Sequence, residues 1–123
     1  MQFVQPPHPS SGHYSSAIIS KCGLVFVSGQ SSVDPNTHKV PEGGLGAEMT
    51  LSLTRVENIL KMAGIDRNHI ISASVFITDM GQWDAVNAAW AEFFGSHKPA
   101  RAIYEVSRTH HGGHIEVQAV AEV

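Results

Sequence analysis

Ile70-Ile71-Ser72-Ala73-Ser74-Val75-Phe76-Ile77-Thr78 is the stretch whose reading decides the fold. Its residues alternate, so a strand here turns Ile71, Ala73, Val75 and Ile77 to one face and Ser72, Ser74 and Phe76 to the other. The first set is a core face. The second mixes small, polar and aromatic side chains and lacks the lysines and glutamates of a solvated sheet.

Working outward, Met49, Leu53, Val56, Leu60 and Ala63 recur at three- and four-residue steps, which predicts a helix over about 47–63 with Gly64 as its stop. After the strand, Asp79-x-x-Gln82 has capping-box form, and Trp83, Val86, Trp90 and Phe93 follow at helical spacing until Gly95 and Pro99. Ala17–Ser20 and Leu24–Ser28 read as a hairpin about Lys21-Cys22-Gly23. Two closing strands, Arg101–Val106 and His114–Ala121, flank a turn rich in glycine and histidine. The predicted order is β-β-α-β-α-β-β, an α+β layer of two helices on one mixed sheet. In the last strand Ile115, Val117, Ala119 and Ala121 are expected to face the helices. Glu116, Gln118 and Val120 then share the second face with Ser72, Ser74 and Phe76, and that face is expected to meet another subunit.

The 123 residues are one domain's worth, 1–123, with 15% charged and 42% hydrophobic residues, which excludes a disordered chain. The eight Lys and Arg residues are scattered and the formal charge is −3, so no footprint for nucleic acid or an anionic membrane surface exists. No apolar run approaches the length of a bilayer span, and the N-terminal segment has neither a basic nor a long apolar stretch. The single cysteine, Cys22, agrees with a reducing compartment, and a cytosolic protein is expected. Its thiol reads as an inert turn residue.

Arg101 opens a strand directly after Pro99-Ala100 and by alternation shares a face with Ile103 and Glu105. If the two closing strands pair across their turn, Glu116 is its neighbour, and from pattern alone a strand-edge salt bridge with Glu116 or Glu105 is the favoured reading. His110, His111 and His114 crowd one turn. A solvated turn, histidines at the edge of a cleft and a metal site all remain open, although no fourth ligand or helical pair accompanies them.

Several stretches together resemble the Rid/YjgF family of reactive-intermediate deaminases. They are Gly12-His13-Tyr14, Val27-Ser28-Gly29-Gln30, Ala63-Gly64, Val86 to Phe94, Pro99-Ala100-Arg101 and Ile115 to Ala121. The resemblance implies a fold similar to trimeric, bacillus-type chorismate mutase, with three sheets closing a central barrel and three clefts between subunits. It implies that Arg101 binds a substrate carboxylate, for which a planar fork suits better than an ammonium. Glu116 would activate water, Tyr14 would orient water or substrate, and Ser28, Gly29, Asn87 and the backbone of Ile103 would line the cleft. The implied reaction is hydrolysis of 2-imino acids of the 2-aminoacrylate type, or of their enamines, to 2-oxo acids and ammonia. Neither metal nor organic cofactor is implied. A related hydrolase acting on another carboxylated imine or amide, and a non-enzymatic metabolite-binding or chaperone-like trimer, are the alternatives. The sequence departs from the family pattern at Ala102 and Ile103, which stand where Ser-x or Ser-Cys is common. It departs also at His13, in place of a proline, and at the short link Gly95–Lys98. Ile103 suggests a preference for a more apolar substrate.

Overall fold

The computed structural model describes residues 1–9 and 11–123. The strands are β1 (Gln2–Val4), β2 (Ala17–Ile19), β3 (Leu24–Ser31), β4 (Ile70–Ile77), β5 (Ala100–Glu105) and β6 (Ile115–Glu122), with helices α1 (Gly44–Met62) and α2 (Trp83–Phe94). They form one six-stranded sheet in the order β1-β2-β3-β6-β4-β5, with both helices on one side. This is the α+β layer expected, with one more strand: β1 pairs antiparallel with β2 and was not foreseen, being only three residues long. No helix among the described residues is long and apolar enough to cross a membrane.

The apolar positions of α1 are buried as the spacing predicts, with Met49, Leu53, Val56 and Leu60 each at most 1% exposed. Each such side chain contributes about 1.5–3 kcal/mol of transfer free energy. The helix begins at Gly44, earlier than Ala47, after Gly43 enters with φ 111°. It ends in a Schellman arrangement. Gly64, at φ 82°, donates its N–H to the Lys61 carbonyl, and Ile65 donates to Leu60, so the last carbonyls are satisfied.

Three local expectations are corrected. Ile71 does not face the core. A bulge between Ile70 and Ser72 turns Ile70 inward at 1% exposure and leaves Ile71 at 43%. Asp79 and Gln82 do not form a capping box: Asp79 accepts from the Gly81 N–H and caps a single 3₁₀ turn over Met80–Gln82, from which α2 starts. On α2 it is Phe94, at 5% exposure, that enters the core, while Phe93 lies half-buried beneath the Arg67 guanidinium, 3.7 Å from its ring centre.

The larger correction concerns the closing strands. β5 and β6 do not pair across their turn. β5 lies parallel to β4, in register Ala73↔Arg101, Val75↔Ile103 and Ile77↔Glu105, with α2 as the crossover that parallel pairing requires. The chain then passes over β4, and β6 enters between β3 and β4, antiparallel to both. The face assignment made from alternation holds: Ser72, Ser74 and Phe76 lie opposite Val120, Gln118 and Glu116 on the side away from the helices. That outer face is rich in exposed aromatics, with Phe26 at 48%, Tyr104 at 50%, and the Phe76 and Tyr104 rings stacked at 5.6 Å.

Two buried carboxylates tie the layers together. Glu57 of α1 accepts both arms of Arg67, at 2.7 Å from Nε and 2.6 Å from Nη2, and Arg67 Nη1 donates to the Phe93 carbonyl at 2.6 Å. Glu48 accepts from Ser32 Oγ at 2.7 Å and from the His114 N–H at 2.9 Å, joining α1 to the start of β6. The fork from Arg67 holds the Glu57 carboxyl group below its ordinary range. Because its folded value lies below its unfolded one, the bridge stabilises the fold above the usual carboxylate range, and that contribution vanishes as pH falls through the lowered folded value. Arg67→Ala, which strands the buried carboxylate, is expected to cost about 3 kcal/mol in urea unfolding at neutral pH. The deficit should shrink on acidification; a deficit independent of pH would contradict the ion-pair account.

Candidate active site

The predicted site residues gather in two groups on opposite faces of the sheet. Arg101 is paired with Ala73 and so points to the helix side at the open edge of β5. Its guanidinium lies over Trp90 at 5.0 Å and over Trp83 at 5.7 Å, and Nη1 donates to Asn87 Oδ1 at 3.0 Å. Trp83, Asn87 and Trp90 share a face of α2 by their i, i+4, i+7 spacing. Their role as a platform for arginine was missed in the sequence, where the tryptophans read as core. A cavity of about 410 Å³ opens here, lined by Asn87, Trp90, Phe94, His97, Lys98 and Arg101 among others.

The salt bridge favoured from pattern is absent. Among the described residues no carboxylate lies within ion-pair distance of Arg101, and Glu105 instead accepts the Met80 N–H at 2.8 Å. Glu116 cannot reach across, since it lies two strands away on the opposite face. Burial alone pulls the Arg101 guanidinium below its ordinary value, though it stays charged. The result is a partly desolvated, flat, aromatic-backed cation with donors to spare, which suits a ligand carboxylate. Ile103, on the same face, packs against the core. Its side chain serves the fold, so it offers no ground for the expected apolar substrate preference.

The second group lies around the far end of β3. Glu116 is paired with Ser31 on one side and Phe76 on the other, facing away from the helices. Gly29 backs it closely: a Cβ there would stand 3.0 Å from Glu116 Cδ and 3.1 Å from Oε2. The glycine is thus needed for close approach. β3 shifts register between Val27 and Gln30, and Ser28, in that irregular stretch, ties down the preceding loop. Its hydroxyl donates to the Ser15 carbonyl at 2.7 Å and its N–H to the Ser16 carbonyl at 2.9 Å. Gln5 holds the same loop, donating from Nε2 to the Tyr14 carbonyl at 3.1 Å. Tyr14 is thereby presented with a clamped backbone and a half-exposed ring, and it lines a cavity of about 570 Å³ together with Gln30, His38, Arg55 and Asn58.

The histidine turn resolves differently for each residue. His114 Nδ1 lies 3.0 Å from Glu48 Oε2, so this ring belongs to the network joining α1 and β6. Gly113 is buried, and a Cβ on it would come within 2.6 Å of Ser32 Oγ, so at this residue the turn is packed, not solvated. The His110 and His111 rings meet at 3.8 Å, tilted by 51°, on the surface. Among the described residues no group of three or more His, Cys, Asp and Glu side chains is arranged to hold a metal ion. Cys22 is exposed in the β2–β3 turn, and the Ser20 hydroxyl 3.2 Å away pulls its thiol below the ordinary value.

Comparison with known proteins places this geometry. The family model described as endoribonuclease L-PSP matches residues 5–123. The chain belongs to that family, the YjgF/Rid family. Within it, a 2-iminobutanoate/2-iminopropanoate deaminase of Capra hircus is 36% identical over 110 residues, spanning 89% of this chain and 80% of that protein. The YjgF gene product of E. coli superposes with a TM-score of 0.89 at 30% identity, covering 99% of this chain and 98% of that one. E. coli TdcF, solved with bound serine, gives 0.84 at 31% identity over 93% of this chain and 91% of that one. The fold is that of the family and is chorismate-mutase-like.

Gly29→Ala is expected to displace the Glu116 carboxyl group rather than the backbone, since Gly29 needs no left-handed conformation. Unfolding free energy should change by less than about 1.5 kcal/mol, while the Glu116 carboxyl carbon resonance moves. An unmoved resonance would show that the contact is not made in solution.

Proposed function

We propose that this chain is a cofactor-independent imine deaminase that converts 2-imino acids, or the enamines that tautomerise to them, into 2-oxo acids and ammonia. The observation that carries this reading is Arg101: a partly desolvated cation over two indoles, without a carboxylate partner among the described residues and open to a cavity. The activity for which the goat relative is named and the amino acid held by TdcF support the same substrate class, a small molecule with a carboxylate beside a nitrogen-bearing carbon.

In this reading Arg101 binds the carboxylate through a bidentate fork, and Asn87 holds the guanidinium in place. The imine reacts as its N-protonated iminium form: Glu116 takes a proton from water as the water oxygen adds to the iminium carbon, giving a neutral carbinolamine. Glu116 returns that proton to the amino nitrogen; as the C–N bond breaks the hydroxyl proton passes to Glu116 and on to the departing ammonia, leaving the 2-oxo acid and ammonium. Tyr14 orients the water or the substrate. The carbon is already electrophilic, so positioning and charge stabilisation suffice.

Since Arg101 and Glu116 lie on opposite faces of one sheet, a working site needs Arg101 of one copy beside Glu116 of another. The aromatic outer face around Phe26, Phe76 and Tyr104 supports such an assembly, and a homotrimer with three clefts satisfies it. The family's descriptive name speaks of RNA cleavage; a net charge of −3 with scattered cations argues against that reading.

The test generates 2-imino acids in situ with an amino-acid oxidase and follows their semicarbazones. The native chain should suppress the semicarbazone signal, and Arg101→Ala, shown to be folded, should lose about 100-fold or more in kcat/KM. Arg101→Lys should not restore it. Equal imine decay with native chain and Arg101→Ala would sink the role of Arg101. Separately, unfolding and refolding Arg101→Ala together with Glu116→Ala should restore part of the activity that neither variant has alone. No recovery in mixed assemblies would place both residues in the same copy's site.

A further inference from the structure

Arg55 is a second arginine without a carboxylate partner among the described residues, and it reaches the end of β3 at Ser31, the strand partner of Glu116. It projects from α1 past the end of β3, where β2 no longer covers the edge. Its Nη1 donates to the Ser31 carbonyl at 2.9 Å, to Ser31 Oγ at 3.0 Å and to the Val33 carbonyl at 3.0 Å. All three acceptors are neutral oxygens. No carboxylate among the described residues comes within ion-pair distance. The Nε–H and both Nη2–H donors bond to no described residue. The one side-chain polar atom sealed from solvent without a partner among the described residues is Ser52 Oγ, so those donors are open to solvent, and Arg55 lines a cavity.

Three observations connect this cation to the candidate site. Arg55 and Tyr14 line the same cavity of about 570 Å³, with His8, Gln30, His38 and Asn58 as further polar walls. Ser31, which Arg55 grips, is the strand partner of Glu116, and directly opposite residues in an antiparallel pair have Cα atoms about 4.5–5.5 Å apart. Burial pulls the guanidinium below its ordinary value, while Tyr14, Asp34 and Glu116 are near enough to push it back. A half-buried guanidinium braced on neutral oxygens is electrostatically incomplete, and an anionic ligand group completes it.

We infer that Arg55 binds a second anionic group of the substrate, so that the preferred substrates are 2-imino dicarboxylic acids, with Arg101 taking the carboxylate next to the imine carbon and Arg55 the side-chain carboxylate. This rests on the deaminase reading above and deepens it. Ser31 both accepts from Arg55 and pairs with Glu116, so the Arg55 end of the pocket adjoins the acid assigned to water activation. Asn58 and His38 contribute polar contacts at the Arg55 end, and the acidic groups Asp34 and Glu116 face the same guanidinium, which sets a limit on how many charges the pocket tolerates.

The test compares imines generated from aspartate or glutamate with that generated from 2-aminobutanoate, each followed as the semicarbazone. The native chain should favour the dicarboxylic imine in kcat/KM by about tenfold or more, and Arg55→Gln should reduce the ratio of the two by a similar factor, chiefly through KM. Arg55→Lys should retain part of the preference. A native preference for the monocarboxylic imine, or a ratio unchanged by Arg55→Gln, overturns the inference. Because Nη1 braces residues 31 and 33, the substitution could unfold the loop, so the native protein is also titrated with succinate and with butyrate by isothermal calorimetry. Succinate should bind about tenfold more tightly; equal affinities overturn the inference without any variant. Absence of imine hydrolysis with every substrate would instead defeat the deaminase reading, and succinate binding would still decide on the anion site.

Discussion

β6 is the constraint on which the rest depends. It enters the sheet last and lies in its middle, supplying hydrogen-bond partners to β3 on one side and β4 on the other. Without it both strands would carry an unpaired backbone edge in the centre of the molecule, and buried N–H and C=O groups without partners are costly. Its inward residues, Ile115, Val117, Ala119 and Ala121, are all at most 2% exposed and close the core beneath α1. Its outward residues place Glu116 between Ser31 and Phe76. One strand therefore completes the sheet and locates the acid of the proposed reaction.

The same insertion separates the two halves of the site. β5 pairs parallel to β4 at the sheet edge and carries Arg101 to the helix face, where the indoles of α2 meet it. Glu116 is on the other face. The sheet itself separates the two faces, so no side-chain rotation within one chain brings them together. The proposed reaction, using both residues, therefore calls for a second copy of the chain, and the aromatic outer face is the surface proposed for that contact.

The buried carboxylates work on a different level. Glu57 with Arg67 fastens α1 to the turn before β4 and, through the Phe93 carbonyl, to α2. Glu48 with Ser32 and His114 fastens α1 to both β3 and β6. Each carboxylate is satisfied by several donors, the condition under which a buried charge can be tolerated. Arg101 and Arg55 are the opposite case. They are cations whose donors are only partly used, at the places where the fold opens into cavities, and unmet hydrogen-bonding capacity of this kind is what a binding site consists of.

Side-chain periodicity, read from the sequence by itself, determined the two helices, the inward faces of β4 and β6, the β2–β3 hairpin and the company that Glu116 keeps with Phe76. These follow from local spacing, which the backbone converts directly into faces. The family motifs added which polar residues to watch. Strand neighbours were beyond its reach: a strand's hydrogen bonds go to whichever segment packing brings alongside, so β6 chose β3 and β4 over its sequence neighbour β5. The bulge at Ile71, the indole bed of Arg101, the absence of its salt bridge and the exposure of Arg55 to a cavity were likewise decided by tertiary structure. Each depends on contacts between residues far apart in the chain, and no local pattern encodes them.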